Sequence, residues 1–230
     1  MNAASAARPL SLAVPGAGSV SALMLRPEDA WAGYVFAHGA GAGMTHPFMT
    51  SVAEALAARG VATLRFQFPA MERGAKRPDV PAVAQAAVRA AVSDAAGLLP
   101  ELPLFAGGKS FGGRMTSQAQ AAAPLPGVRG LVFFGFPLHA AGKPSDARGT
   151  HLLDVRVPML FLQGTRDALA DLALVQALAA RLEARATLAV FEGADHSFRV
   201  PARSGMQDED VRRALCARTA EWMRDVVQAQ

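Results

Sequence analysis

A lone serine, Ser110, stands between two glycines shortly after the apolar run 102–106. The stretch Gly108-Lys109-Ser110-Phe111-Gly112 fits the pattern G-x-S-x-G, in which a serine occupies a sharp turn between a strand and a helix. Such a turn strains the backbone and exposes the serine hydroxyl at the edge of a sheet, while the glycines let neighbouring chain pass closely. The pattern therefore predicts a serine nucleophile at position 110.

A serine hydroxyl is a weak nucleophile near neutral pH, so it needs a histidine base that a carboxylate orients. In chains with a G-x-S-x-G turn, these partners follow the serine in the order acid, then histidine. Among the five histidines, His196 alone follows a late strand candidate, directly beyond the apolar run 187–191. We therefore predict that His196 is the general base.

The orienting carboxylate is predicted to be Asp167. It follows the buried-strand pattern 159–162 and a glycine turn, which would bring it to the same edge of the sheet as Ser110 and His196. Asp195 competes with it, although neighbouring side chains on an extended loop usually diverge. Three other aspartates are less suitable, because two precede the strand and one resembles a helix cap: Asp146, Asp154 and Asp171.

Backbone N–H groups are expected to stabilise the negative charge that a tetrahedral intermediate develops. Phe111, at the start of a predicted helix, would supply one donor, and the glycine-rich loop 38–43 would supply the other from Ala40 or Gly39. His38 would support this loop through a backbone hydrogen bond instead of acting as a base. The glycine spacing matches neither phosphate-loop pattern, which argues against a nucleotide site.

Side chains near these groups are predicted to line a substrate cleft, and the candidates are His38, Lys109, Phe136 and His139. Phe136 belongs to the run 133–138, which we expect to combine a core strand with an apolar wall of the cleft. The loop 71–79 carries three cations, Arg73, Lys76 and Arg77. This loop is either a basic rim that attracts anionic substrates or a solvated surface loop, and the sequence leaves both open.

Eight apolar or alternating runs predict strands, at 10–14, 20–25, 33–37, 61–66, 104–106, 130–134, 159–162 and 187–191. Helical segments are predicted at 47–58, 80–99, 113–122, 172–183 and 208–227, and the first two begin near Thr45-His46-Pro47 and Asp79-Val80-Pro81, where a side chain can cap them. Strands that alternate with helices predict a mostly parallel sheet covered on both faces. The first two strands are close enough to form an antiparallel hairpin at one edge.

The composition fits one globular domain, which we predict to span 1–230 with an ordered core at about 10–227. No apolar run reaches the roughly 18 residues of a membrane span, and the first residues do not resemble a secretory signal. The single cysteine, Cys216, fits a reducing compartment, so we expect a cytoplasmic protein. The net charge of +4 is spread along the chain, and the histidines lack metal-ligand spacing. We expect no nucleic acid, membrane, metal or cofactor as partner, and predict no oligomeric state.

With Ser110, Asp167, His196 and the loop 38–43 in this order, the chain resembles an α/β-hydrolase from about Leu10 to Val227. Five motifs narrow the resemblance: HGAGAGM at 38–44, RFQFP at 65–69, GKSFGGRM at 108–115, FGFPL at 134–138 and QGTRD at 163–167. They are similar to those of small hydrolases often described as dienelactone-hydrolase-like. That group also includes the hydrolase-like domain of a subunit of the nuclear NSL histone-acetyltransferase complex.

The resemblance implies the fold and a Ser-His-Asp triad, but no physiological substrate. Dienelactone hydrolases themselves use a cysteine nucleophile, so the serine argues against that reaction. The connection 135–158 has room for only a short helix, which predicts little or no lid and an open cleft. We therefore expect a serine hydrolase of small-to-medium esters or thioesters. The alternative is a non-catalytic interaction module that retains the fold.

Overall fold

Within residues 6–229, which the computed structural model describes, eight strands form a single sheet in the order β1-β2-β4-β3-β5-β6-β7-β8. The strands are β1 Arg8–Val14, β2 Gly18–Leu25, β3 Ala32–Ala37, β4 Val61–Phe66, β5 Leu104–Lys109, β6 Val128–Phe134, β7 Met159–Gly164 and β8 Ala186–Phe191. Each coincides with a predicted apolar run. The strands from β3 to β8 are parallel, whereas β2 pairs antiparallel with both β1 and β4. The predicted edge hairpin is therefore confirmed.

The helices lie on both faces of this sheet, as predicted. They are α1 Pro47–Ala57, α2 Pro69–Glu72, α3 Pro81–Leu98, α4 Phe111–Ala122, α5 Leu172–Leu182 and α6 Asp208–Gln228, with 3₁₀ turns at 147–154, 183–185 and 202–204. Buried residues of α1 and α6 belong to one apolar cluster, and those of α3, α4 and α5 belong to the other. No helix in the described part of the chain is both long enough and apolar enough to cross a bilayer.

The central strands are apolar throughout because the sheet is covered on both sides. In β3, Val35 and Ala37 enter one core cluster, while Tyr34 and Phe36 enter the other. β3 and β5 are neighbours, yet the chain leaves them toward opposite faces, to α1 and α4. Ligands of parallel sheets bind beyond the carboxyl ends of strands at such a switch point. The loop after β3 and the turn after β5 therefore meet where a site is expected.

The start of α3 differs from the expectation. Val80 is its N-cap residue and makes no side-chain cap, while Asp79 instead accepts the N–H of Ala70 in α2 at 2.7 Å. The short helix α2 was not predicted, because Pro69 begins it but only four residues follow the helical path. Asp79 therefore binds the start of α2 instead of capping α3, and this hydrogen bond holds the loop 71–79 against α2.

The connection between β6 and β7 contains no lid. Its regular structure is a 3₁₀ helix at 147–154 and an isolated bridge between Ala140 and Lys143. The prediction of little or no lid is confirmed, and the carboxyl edge of the sheet is left open on this side.

Candidate active site

Ser110 alone joins β5 to α4, so the strand turns directly into the helix. Its φ of 50° and ψ of −114° lie in a region that side-chain-bearing residues rarely adopt. Its N–H donates to the Phe134 carbonyl at 3.2 Å, and its carbonyl accepts the Arg114 N–H at 3.1 Å. The surrounding chain thus holds the strained serine from both sides.

Two glycines of the turn allow β3 to approach it. A β-carbon would lie 2.3 Å from the Ala37 carbonyl oxygen if built on Gly108, and 2.4 Å from it if built on Gly112. A β-carbon at either position would clash with this carbonyl oxygen, so only glycine fits there. The two glycines therefore set the distance between the serine and the loop that follows β3.

Two hydrogen bonds connect the three residues whose order predicted that they act together. His196 Nε2 lies 2.8 Å from Ser110 Oγ, and His196 Nδ1 lies 2.7 Å from Asp167 Oδ2. A carboxylate accepts only, so Nδ1 carries the proton and Nε2 is left to accept from the serine hydroxyl. The structure brings these three side chains together in the arrangement that a serine nucleophile requires.

Asp167 is held by more than the histidine. Its side chain is fully buried, with Oδ2 also accepting the Gln163 side-chain amide at 2.6 Å and Oδ1 accepting the Leu169 N–H at 2.8 Å. Burial raises the pKa of this carboxyl, but the hydrogen bonds from His196 and Leu169 and the charges of His196 and Lys109 outweigh it and lower the pKa below its ordinary value. Asp167 is therefore an ionised, fixed acceptor for His196.

The competing aspartates have other partners. Asp195 Oδ1 accepts the N–H groups of residues 197 and 199 in its own loop. Asp171 caps α5 by accepting the Leu174 N–H, as its sequence position suggested, and Asp146 pairs with Arg181. None of these three shares a hydrogen bond with His196.

The loop after β3 lies against the serine turn. A β-carbon on Gly39 would be 3.6 Å from the Lys109 carbonyl oxygen and 3.8 Å from Ser110 Cβ. On the other side, Phe111 is the first residue of α4, where an N–H has no partner within the helix and lies at the positive end of the helix dipole. The two segments predicted to supply oxyanion donors thus adjoin Ser110.

His38 fixes the direction of the Ala40 N–H. Its Nδ1–H donates to the Gly39 carbonyl at 2.7 Å, and its Nε2 accepts the Phe68 N–H at 3.0 Å. The Gly39 carbonyl and the Ala40 N–H belong to one planar peptide unit and point in opposite directions, so holding one orients the other. His38 therefore supports the loop, as predicted. His38 was also a candidate for the substrate cleft, but both of its ring nitrogens are already hydrogen-bonded to the backbone.

Two predicted cleft residues lie in the interior instead. His139 is 5% exposed, its Nδ1–H donates to the Ala140 carbonyl at 2.9 Å, and its Nε2 accepts the Asp171 N–H at 2.7 Å. Phe136 is 1% exposed and packs against the rings of Phe133 and Phe161. The prediction that they line the cleft is wrong. Gly135 at φ 66° ends the strand alternation, so Phe136 enters the core, while backbone groups bind both ring nitrogens of His139.

Lys109 also differs from its prediction as a cleft residue. It is 9% exposed, and its ammonium donates to the main-chain carbonyl of His196 at 2.6 Å. The cation therefore lies behind His196, inside the protein, and not in the open region in front of Ser110.

Residues that the sequence prediction missed hold the site in place. Gln163 uses its Nε2 for Asp167 and its Oε1 to accept the Phe136 N–H. Arg65 donates to the Met44 carbonyl and to Thr50 Oγ1, while Gln67 accepts the Met44 N–H. The one sequence signal for them is a polar residue within or directly after an otherwise apolar strand.

A small depression lies beside the serine turn. His38, Ala40 and Phe111 line one side, and residues of the loop 71–79 line the other, Lys76 and Arg77 among them. The charge of Asp79 is matched by Arg73 at 3.5 Å, whereas the exposed Lys76 and Arg77 form no ion pair with any described residue. The depression therefore has a positive rim.

Solved structures of similar architecture share this fold over almost the whole chain. A serine hydrolase without a lid from Xanthomonas campestris has 25% sequence identity and a TM-score of 0.72, with 94% of each chain covered. A dienelactone hydrolase from Anabaena variabilis has 21% identity and a TM-score of 0.76, covering 97% of this chain and 99% of that one. The esterase domain of a Rhodothermus marinus protein has 17% identity and a TM-score of 0.72, covering 96% and 98%.

The family comparison covers the part of the chain that contains the candidate site. A family model described as an alpha/beta hydrolase domain matches residues 31–224, which includes β3 to β8 and all the site residues above. The resemblance to an acetyltransferase-complex subunit stays a prediction. The chain belongs to the alpha/beta hydrolase domain family.

Proposed function

We propose that this protein is a serine hydrolase that cleaves small-to-medium carboxylic esters or thioesters through an acyl-enzyme. The observation that carries the proposal is the hydrogen-bonded series from Ser110 Oγ to His196 to Asp167, with separations of 2.8 and 2.7 Å. The strained turn at Ser110 supports it, because such strain is maintained at functional sites. An esterase and a serine hydrolase among the similar structures agree with this reaction class.

The first half of the proposed reaction forms the acyl-enzyme. Ser110 Oγ attacks the ester carbonyl carbon while its proton passes to His196 Nε2, and the carbonyl oxygen becomes an oxyanion. The N–H groups of Phe111 and Ala40 donate to that oxyanion, and Asp167 stabilises the imidazolium. The intermediate then collapses, the bond to the alcohol or thiol breaks, and His196 returns the proton to the leaving group.

The second half releases the acid. Water attacks the acyl carbonyl carbon, and its proton passes to His196 Nε2 as the oxyanion forms again. Collapse of this intermediate breaks the bond to Ser110 Oγ, which regains the proton from His196. The carboxylic acid leaves and the free serine is restored.

The substrate size follows from the open edge of the sheet. The connection between β6 and β7 supplies no segment to cover a long acyl chain, so little apolar surface is available to bind one. Burial of each extra methylene contributes about 0.8 kcal/mol only where such a surface exists. We expect p-nitrophenyl acetate and butyrate to be cleaved with a higher kcat/KM than the octanoate, and a strong preference for the octanoate would contradict this cleft.

A fluorophosphonate probe tests the nucleophile directly. We expect stoichiometric labelling of Ser110, located by mass spectrometry, and its loss in Ser110→Ala with the fold retained by circular dichroism. Labelling that survives the substitution removes Ser110 from the mechanism. A folded protein without labelling or turnover on ester, thioester and amide panels would favour the non-catalytic interaction module instead.

Two broader properties accompany this proposal. We infer that one domain with an ordered core at 10–227 carries the whole site, while residues 1–5 and 230 of the predicted domain lie outside the described residues. Cys216 is buried in α6, and burial raises the pKa of its thiol to about 12, which keeps it unreactive. A lone unreactive thiol fits the reducing cytoplasm that we propose as its location.

A further inference from the structure

Lys109 connects the serine turn to the histidine loop. It is the last residue of β5 and directly precedes Ser110, and successive residues of an extended chain direct their side chains to opposite sides. Its ammonium donates a 2.6 Å hydrogen bond to the main-chain carbonyl of His196. Lys109 thus contacts the backbone of His196, and the next residue, Ser110, contacts its ring.

Two aromatic rings flank this ammonium. The rings of Phe198 and Phe48 lie 5.5 and 5.9 Å from Nζ, and these rings stack on one another. No carboxylate among residues 6–229 forms an ion pair with Lys109. Burying an ammonium costs free energy that a methionine of similar length would not require. A role in packing alone therefore does not account for a lysine at this position.

The space for the ammonium is closely fitted. A β-carbon on Gly135 would lie 3.0 Å from Lys109 Nζ and 3.4 Å from both Nδ1 and the carbonyl oxygen of His196. The space beside Gly135, directly after β6, is therefore bounded by both the lysine end and the histidine. A shift of the ammonium would be transmitted to the His196 main chain.

The ammonium is charged under ordinary conditions. Burial lowers the pKa of Lys109 to about 8, while the negative charges of Asp167 and Asp195 act in the opposite direction. The group is therefore mostly protonated at pH 7 and donates a charge-assisted hydrogen bond, which is stronger than a neutral one.

We propose that Lys109 is a positioning residue, whose buried ammonium fixes the main chain at His196 and so directs the imidazole between Asp167 and Ser110. This inference rests on the proposed function. His196 lies in the loop 192–201, which contains turns but no helix or strand; other residues hold the loop at 193, 194 and 200, and Lys109 binds the carbonyl of His196 itself. Because Lys109 directly precedes the nucleophile, this hydrogen bond fixes Ser110 and His196 relative to each other.

Three variants test the proposal. In Lys109→Met we expect kcat to fall by about 10- to 100-fold with little change in KM, because a displacement of about 1 Å costs that much in an aligned site. Lys109→Arg retains the charge and donor, so we expect it to recover part of the loss. Trp222→Phe, in the core near the amino ends of the strands, is the control for lost stability and should leave kcat unchanged.

A readout of the histidine separates positioning from general destabilisation. The proton between His196 Nδ1 and Asp167 should give a low-field NMR resonance that weakens or shifts in Lys109→Met and persists in Trp222→Phe. If Lys109→Met does not fold, Lys109→Gln replaces it, with the same expected loss.

The outcomes also distinguish the two proposals. A folded Lys109→Met or Lys109→Gln protein with wild-type kcat, probe labelling and resonance would overturn the role of Lys109. If the wild-type protein neither labels nor turns over, the proposed function fails, yet the resonance still decides whether Lys109 positions His196.

Discussion

Asp167 Oδ2 accepts two hydrogen bonds, one from Gln163 Nε2 at 2.6 Å and one from His196 Nδ1 at 2.7 Å. Gln163 cannot turn around, because its own oxygen accepts the Phe136 N–H at 3.2 Å. Oδ2 of Asp167 therefore faces two donors, and Oδ1 faces a third, the Leu169 N–H.

An asparagine at position 167 cannot satisfy all three donors. Either orientation of its amide directs an NH₂ at an N–H group, so we expect Asp167→Asn to lower kcat by about 10⁴-fold through a misdirected histidine. Steady-state kinetics with p-nitrophenyl acetate measures this, with little change expected in KM. Asp195→Asn is the matched control, since its oxygen still accepts the two loop N–H groups. Equal losses in the two variants would contradict the assignment of Asp167.

Substitution of His38 should misorient the Ala40 N–H, the proposed oxyanion donor, without removing a group that contacts the substrate. In His38→Leu the Gly39 carbonyl loses its partner, and we expect kcat to fall by about tenfold or more, short of the roughly 100- to 1000-fold loss caused by removing a donor. The Phe68 N–H is left unpaired, which should lower the free energy of unfolding by about 1–3 kcal/mol. Urea unfolding and probe-labelling rates measure the two effects.

His139→Leu supplies the comparison for His38. It removes an equivalent pair of backbone hydrogen bonds in the loop after β6. We expect a similar loss of stability with a smaller loss of kcat. If both variants lose kcat equally, the loss in His38→Leu does not come from a misoriented Ala40 N–H.

Acid should destabilise the fold through two histidines, the buried His38 and the half-buried His151. Burial lowers the pKa of His38, and burial together with the charge of Arg114 lowers the pKa of His151 to about 4, from an ordinary value of 6.5. The unfolded chain therefore binds protons at a higher pH than the folded one. The contribution of these histidines to stability is complete above pH 6.5 and is lost as the pH falls toward 4, and the lowered pKa of Asp167 continues the loss below its ordinary value of 3.8.

A variant at position 151 tests the acid effect. His151→Gln retains a donor for Ser117 Oγ, which His151 Nε2 contacts at 2.8 Å, but removes one titrating group. The free energy of unfolding, measured in urea between pH 7 and pH 4.5, should decrease less steeply in this variant. Identical slopes would show that His151 is not one of the groups responsible.

The positive rim should favour negatively charged esters. Lys76 and Arg77 line the depression beside Ala40 and Phe111, and no carboxylate among residues 6–229 pairs with either. We expect their double substitution by alanine to raise KM about two- to fivefold for a p-nitrophenyl hemisuccinate, as for an exposed ion pair, and to leave the acetate unaffected. Arg156→Ala, which removes an exposed cation before β7, is the control for net charge. An unchanged KM ratio would show that the loop 71–79 is simply solvated.

The sequence predicted the sheet and the central residues because both depend on local pattern and chain order. Apolar runs located every strand, and the order of Ser110, Asp167 and His196 follows from strands that end at one edge. The directions of Lys109 and Phe136 were not predictable in this way. Phe136 follows a glycine with positive φ that breaks the strand alternation, and Lys109 reaches a carbonyl 87 residues away.

Capping and hydrogen-bond partners were missed for a similar reason. Asp79 has the sequence position of a cap for α3, but it closes onto Ala70 because the intervening loop folds back. The role of His139 depends on which ring nitrogen carries the proton, and the Asp171 N–H, 32 residues away, is one of the two groups that decide it. Such features follow only from the packed structure.

The short connection between β6 and β7 affects which molecule, water or a small alcohol, receives the acyl group. In the proposed acyl-enzyme, where no segment must close before reaction, the acyl group on Ser110 should stay exposed to the solution. A small alcohol then reaches it as freely as water does. The yield of transesterified product should therefore rise in proportion to the alcohol concentration, so the composition of the medium selects the fate of the acyl group.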